Sequence, residues 1–424
     1  MAVTNPYNPS IERLFTPLRI GKTVLKHRIV HSPLTRLRSP SGVPTDAVVD
    51  YYAARATEGG LLIGEGVHIS VQSGNYFNCP GVYTPEQLRA WRKVTSAVHA
   101  KGGVIYAQLW HVGRLTSQSY LGGELSAIKP LSSTSQQLEG GTNPFNPKFE
   151  PIALENPKQM DDEDMGNTRE DFVHAAKLCI EAGFDGIEVH AAGGYLIDQF
   201  WNDNINTRTD EYGGSIENRT RFPLQIIDDC IAAIGPDRVA IRISPFGTYS
   251  GAQDSDPVSH WCYILRQLVP RKLAFIEVVE PRNDIYNGTD DKTRRLVEAA
   301  KRRGVVEEQA LEDELSLKPF RRALLGSGIP LFSTGGWNHK SDYSHIGEES
   351  DRGVEAVSIG RWFISNPDLV ERFKTGKPLS LYDRATFYTP GPEGYVDYES
   401  WQEAVQNGRD LQGYEGEVEE ILAA

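Results

Sequence analysis

Short, β-branched apolar runs recur along the chain, separated by longer stretches of helical period. They fall at Ile29–His31, Leu61–Gly66, Val104–His111, Asp185–His190, Arg238–Ser244, Leu273–Glu280, Ile329–Gly336 and Val354–Gly360. Each is nearly continuous in apolar character rather than alternating, as parallel strands covered on both faces are. Between them, Pro85–Ala100 follows Thr84 as N-cap and carries Pro and Glu86 in its first turn, which predicts a helix. Asp161–Ala182 opens with acids and stops at Gly183, and Ser215–Ile234 opens with Ser and Glu and closes at Gly235-Pro236; both suit the polarity of helix ends. Eight strand–helix alternations predict an α/β chain closed into a (β/α)8 TIM barrel. An open doubly wound sheet would need a G-x-G-x-x-G turn after its first strand, and none is present.

The chain has 424 residues, more than the roughly 250 of a minimal barrel. We expect one domain over 1–424 with insertions over the C-terminal face. One, at about 113–157, is rich in Ser, Gly, Pro and Asn; another, at about 282–318, holds DDKTRRLVEAAKRR and EEQALEDELSLK as charged surface helices. An extension over about 379–424 reads as irregular and aromatic-rich to about Tyr395, then helical. The formal charge of -13 argues against nucleic acid as partner. Cys79, Cys179, Cys230 and Cys262 lie far apart without a C-x-x-C pair, which argues against an iron–sulfur cluster, structural zinc or a disulfide framework. Four reduced thiols, a start without a secretory signature and no run of membrane-spanning length make a cytoplasmic protein without metal the expectation.

The chemistry concentrates between Asp185 and Gly214. His190 stands where a strand should end, the chain breaks at Gly193-Gly194, and Tyr195 follows. An imidazole and a phenol so placed at a barrel's C-terminal face suit acid–base work. The loops after the seventh and eighth strands read Ser333-Thr334-Gly335-Gly336 and Ser358-Ile359-Gly360-Arg361. In such barrels these loops commonly hold phosphate, and Arg361 can add a charge-assisted contact. Three more polar residues lie at strand ends: Thr35 after the first, Gln108 near the end of the third, Arg242 within the fifth. A flavin ring needs donors and acceptors along its pyrimidine edge and a cation where charge collects on reduction. Gln and Thr in strands also occur as satisfied core groups; an Arg in an apolar strand demands a partner.

The chain resembles the old yellow enzyme family of flavin-dependent ene-reductases, from LFTPLRIG at Leu14–Gly21 to DRATFY at Asp383–Tyr388. HSPLTR, YYAARA, GEGVHIS, AQLWHVGR, NTRTDEYGGSIENRTRF, RISPFG, VEPR and SIGRWFISNPDL carry the likeness. The resemblance implies FMN at the barrel mouth, with Pro33, Leu34, Thr35, Gly66, Gln108 and Arg242 around its ring. Gly335, Gly336, Gly360 and Arg361 would bind the phosphate. Thr35 matches the threonine subgroup of the family rather than the cysteine one. NADPH would be the reductant, and an enone or enal the small-molecule substrate, on a monomer or homodimer. His190 would grip the carbonyl and Tyr195 supply the proton, while Trp110, Tyr76 and Tyr388 wall the pocket.

One position departs from the family. Its motif carries a second donor, Asn or His, three residues after the histidine, and here that position is Gly193. Losing such a donor removes on the order of 3 kcal/mol of transition-state stabilisation unless another group supplies it. Ordinary enone reduction in a specialised biosynthetic role is the first expectation. A flavin oxidase, desaturase or isomerase is the alternative, and a catalytically quiet flavin-binding protein the second.

Overall fold

The computed structural model describes residues 9–74, 76–117, 129–138, 142–143, 152–281, 289–335 and 355–408. Eight parallel strands close into a barrel: β1 (Ile29–His31), β2 (Leu61–His68), β3 (Val104–Trp110), β4 (Gly186–Ala191), β5 (Val239–Ile243), β6 (Ile276–Val279), β7 (Leu331–Thr334) and β8 (Ala356–Ile359). Every predicted strand is present, and β8 closes the ring on β1 through Val357↔Ile29 and Ile359↔His31.

The continuous apolar runs resolve into two faces. Leu62, Ile105, Val189 and Ile241 point outward and pack with Leu88, Trp91, Phe172 and Phe222 of the surrounding helices. Their neighbours Ile63, Tyr106, Ala240, Phe275 and Phe332 fill the barrel interior. A hairpin of Leu18–Ile20 and Thr23–Leu25 closes the N-terminal end, its Leu18, Ile20 and Leu25 joining that interior cluster. The lower barrel is thus a dry apolar plug. Polar chemistry is left to the opposite end.

The helix signals hold. Pro85–Ala100 starts from a Thr84–Gln87 capping box, and Asp162–Glu181 from a box of Asp161 and Asp164. Ser215 accepts from the Asn218 N–H at the start of Ile216–Ile234. Each cap of this kind is worth about 1 kcal/mol. In the first insertion, Leu131–Ser132 pairs with Lys158–Gln159 and Thr142–Asn143 with Ile152–Ala153; 118–128, 139–141 and 144–151 lie outside the described residues. In the second, Thr289–Arg302 and Glu308–Glu314 are helices, as expected, and Arg303 ties Glu314 to Asp256. The tail differs from expectation in where its helix starts: Trp401, capped by Ser400, rather than near Tyr395.

Three buried arginines explain why the stretch before that helix can be irregular. Arg38 donates to the carbonyls of Thr386, Phe387 and Glu393, and Arg36 to those of Phe387 and Gly394. Arg55 reaches Phe363, Ile364 and Tyr395. Guanidinium donors take the place of a ladder, satisfying buried carbonyls that no helix or sheet serves. This strap carries Tyr388 to the barrel's C-terminal face. All four cysteines are free and buried. Among the described residues, no helix is long and apolar enough to cross a membrane.

Candidate active site

Above the apolar plug the inward-facing positions turn polar. Gln108 on β3, Glu188 on β4, Arg242 on β5 and Glu277 on β6 form a belt across the barrel. Gln108 Nε2 donates to Glu188 Oε2 at 2.7 Å, and Arg242 Nη1 donates to Glu277 Oε2 at 2.6 Å and to Ser32 Oγ at 3.2 Å. Ser32 Oγ also meets Thr334 Oγ1 at 3.2 Å. The partner that an arginine in an apolar strand requires is therefore Glu277. Removing one member of so buried a pair costs roughly 3–5 kcal/mol, because the other charge is stranded.

One layer higher stand the aromatic groups. His190 lies in register with Arg242, and its ring centroid is 5.0 Å from that of Tyr195, edge to face. Trp110 joins both, at 4.8 Å from Tyr195 and 6.0 Å from His190. Tyr76 meets Trp110 edge-on at 4.9 Å, and His68 stacks on Trp110 at 5.2 Å. Gly66 is needed for this stack: a β-carbon there would sit 2.8 Å from Trp110 Cε3. Tyr249 and Tyr388 pack against the cluster from its rim.

The turn that delivers Tyr195 is built by the short helix Leu196–Trp201. Asp198 accepts from the Gly194 N–H at 2.7 Å, and Gln199 Nε2 donates to the Gly194 carbonyl at 2.8 Å. Gly193 and Gly194 have φ of +66° and +71°, a region costly for ordinary side chains. Gly194 has no alternative, since a β-carbon would press on Ser250 Cβ and the Tyr249 carbonyl, both at 2.8 Å. Gly193 is roomier, and its N–H is already given to Ser244 Oγ at 2.8 Å.

Electrostatics fix the protonation states. Burial, then the charge of Arg242, lowers the His190 pKa to about 3, so the ring is neutral at assay pH and carries a single N–H to donate. Its Nδ1 is buried without a hydrogen-bond partner. Burial, then the neighbouring phenols of Tyr249 and Tyr76, raises Tyr195 well above the ordinary phenol range. It is a proton holder, never a phenolate, through neutral pH.

The predicted rim residues follow strand ends of the barrel. Pro33, Leu34 and Thr35 follow β1, Gly335 follows β7, and Gly360 and Arg361 follow β8; all are half-buried where the strands beneath them are fully buried. A β-carbon on Gly360 would lie 3.0 Å from Leu34 Cδ2, so the β1 and β8 loops are close. Gly336 lies outside the described residues. Ser358 Oγ, beneath this side, is buried and unpartnered. A half-open rim with unpaired polar atoms beneath it, a guanidinium to one side and glycine loops to the other, fits a flat ring with polar edges and a phosphate tail.

Glu188 and Glu277 escaped the sequence reading, although each is an acid inside a β-branched run, two residues before His190 and four after Leu273. Reading the inward positions from Gln108 and Arg242 to neighbouring strands would have found both.

A profile of the NADH:flavin oxidoreductase / NADH oxidase family matches residues 13–380. The flavin oxidoreductase hxnT of Emericella nidulans is 40% identical over 400 residues, 92% of this chain and 97% of its own. The 12-oxophytodienoate reductase 7 of Oryza sativa subsp. japonica is 40% identical over 391 residues, 91% of this chain and 94% of its own. Among solved structures, morphinone reductase in complex with tetrahydroNAD superposes with a TM-score of 0.78 at 34% identity, over 94% of this chain and 99% of that one. The old yellow enzyme homologue from Zymomonas mobilis gives 0.77 at 34%, over 91% and 99%.

Proposed function

The chain belongs to the NADH:flavin oxidoreductase / NADH oxidase family and is a flavin oxidoreductase, and from that premise we propose that it uses NADPH to reduce the activated C=C bond of an enone or enal. The whole chain acts as one FMN-binding barrel domain in the cytoplasm. The observation that carries the reading is the juxtaposition of His190 and Tyr195, a neutral donor and a neutral acid 5.0 Å apart between ring centroids. Relatives named for 12-oxophytodienoate and morphinone, both ketones by name, support a carbonyl-bearing substrate.

FMN, when bound, would supply two-electron transfer between a nicotinamide and the alkene. Pro33, Leu34, Thr35, Gly66, Gln108 and Arg242 would border its ring, and Gly335, Gly336, Gly360 and Arg361 would hold its phosphate. Arg242 offers positive charge where the ring gains negative charge. His190 donates its N–H to the substrate carbonyl oxygen, drawing electron density from the β-carbon. Tyr195 gives its phenolic proton to the α-carbon and is reprotonated from solvent. Trp110, Tyr76 and Tyr388 would wall the substrate pocket and exclude water from it.

Gly193 favours a second reading, an oxidase, desaturase or isomerase, because only His190 of this turn polarises the carbonyl. Anaerobic titration separates the two. NADPH should bleach a yellow protein, and 2-cyclohexenone should restore its colour within the turnover time. Bleaching without recovery on any enone, together with fast recovery in air, would overturn reduction of C=C bonds. Parallel titration with NADH decides the nicotinamide preference.

A further inference from the structure

The belt under the barrel mouth holds two carboxyls for one cation. Glu188 and Glu277 are both fully buried, and each has one oxygen satisfied, by Gln108 and Arg242 respectively. The other oxygen of each, Oε1, is buried with no donor. The remaining groups facing the pair are His190 and Arg242 from β4 and β5, Gln108 from β3 and Ser32 from β1. Among the described residues no other charged side chain joins them. Two ionised carboxylates here would leave a net negative charge in a dry interior, whereas one proton on the pair makes the belt neutral.

We propose that Glu188 and Glu277 share one proton at rest and act through Arg242 on the flavin, taking up a second proton when the flavin is reduced. In the first state Glu277 cancels the Arg242 charge. When the ring gains an electron pair and one proton it carries one more negative charge. A proton from solvent hydronium then adds to the remaining carboxylate of the pair, forming one O–H bond on the glutamate as one O–H bond of hydronium breaks and water is released, and frees Arg242 to pair with the ring. Two electrons thus bring two protons to the protein. Both glutamates are positioning residues: neither touches the substrate. Burial, and after it the Glu277 charge, holds the Glu188 carboxyl well above the usual carboxylate range, in keeping with a resident proton.

The inference rests on the FMN reading, and two measurements separate the fates of the two. Infrared difference spectra of Glu188→Gln against wild type, taken on the apoprotein at neutral pH, should show loss of a carboxylic acid C=O band that shifts in D2O. This arm needs no flavin, so a missing band sinks the shared proton whatever the cofactor is, and a colourless protein that keeps the band sinks only the flavin. Spectroelectrochemical titration of the FMN holoenzyme on the alkaline side of neutrality reads the coupling. Wild type should lose potential with pH as for two protons per two electrons, and the double variant Glu188→Gln/Glu277→Gln, which leaves no carboxyl to take up the second proton, as for one. A one-proton slope in wild type, which needs no variant to fold, overturns the proposal. So does a slope unchanged in the double variant.

Discussion

Gly193→Asn restores a side-chain donor three residues after His190, and its two effects can be worked out separately. Gly193 has φ of +66°, where an ordinary side chain costs about 1–2 kcal/mol and Asn less. A β-carbon would meet Tyr195 Cε2 at 3.4 Å, Tyr195 Cδ2 at 3.5 Å and Tyr249 Cδ1 at 3.7 Å, ordinary contacts that add no clash. That strain is present before and during the reaction, so it lowers Tm but leaves the barrier alone. The new amide N–H acts only where charge develops on the carbonyl oxygen, and such a donor is worth about 2.7–4 kcal/mol in well-aligned sites. Even half of that raises kcat/KM for 2-cyclohexenone roughly tenfold. Gly193→Ala carries similar strain with no donor and should lose Tm without gaining rate. Steady-state kinetics and thermal melts on both variants make the test. Asn no faster than Ala, with both equally destabilised, would refute the view that the turn lacks a carbonyl donor.

Tyr195→Phe should slow enone-driven reoxidation about 10²–10⁴-fold while leaving NADPH-driven reduction nearly intact in stopped-flow traces; equal loss of both removes its role as proton donor. With His190 lowered to about 3 and Tyr195 raised above the phenol range, that reoxidation should be flat in pH across neutrality, and a break near pH 7 would contradict both assignments. His31, His68, His111 and His190 are each lowered to about 3, and His27 to about 4, by burial. Their folded values lie below an unfolded value of about 6.5, so the unfolded chain binds more protons in acid and stability is lost as pH falls. Tm should drop steeply below about pH 6, and a level Tm down to about pH 4 would show these rings to be solvated. Arg38→Met leaves the Glu393 carbonyl without a donor, while Arg36 still serves Phe387 and Thr389 Oγ1 still serves Thr386, and each buried carbonyl left without a donor costs about 1–3 kcal/mol. Limited proteolysis should then cut after Leu379 and the enone KM should rise through Tyr388; an unchanged cleavage pattern would deny the strap its anchor.

The barrel was legible because strands buried on both faces read as unbroken apolar runs, and because Thr84, Asp161 and Ser215 mark helix starts chemically. Leu196–Trp201 was not read as a helix for the opposite reason. All six of its residues are buried, so no polar face marks a period. His190, Tyr195 and Trp110 were legible as types at strand ends, yet nothing local says that Gly66 exists to seat Trp110. That contact joins β2 to the end of β3, which only register brings together. The arginine strap was hidden further still. Arg36, Arg38 and Arg55 find their acceptors on backbone carbonyls some three hundred residues away, and backbone leaves no sequence signature.

Gly193 and Glu277 act on opposite ends of the same electron transfer. A site that lacks a second carbonyl donor pulls less electron density from the alkene, which raises the barrier from the substrate side. An acid paired with Arg242 cancels positive charge beside the oxidised ring, and its protonation on reduction would free that charge to hold the electron pair. This change of charge on reduction explains why the belt needs its shared proton. A permanently ionised pair would leave a net negative charge beneath the ring and resist reduction by the nicotinamide. A permanently neutral pair would leave Arg242 uncancelled and hold the electrons too well. A pair that gains its second proton only on reduction is open to the nicotinamide first, and returns that proton as the electrons leave for the substrate.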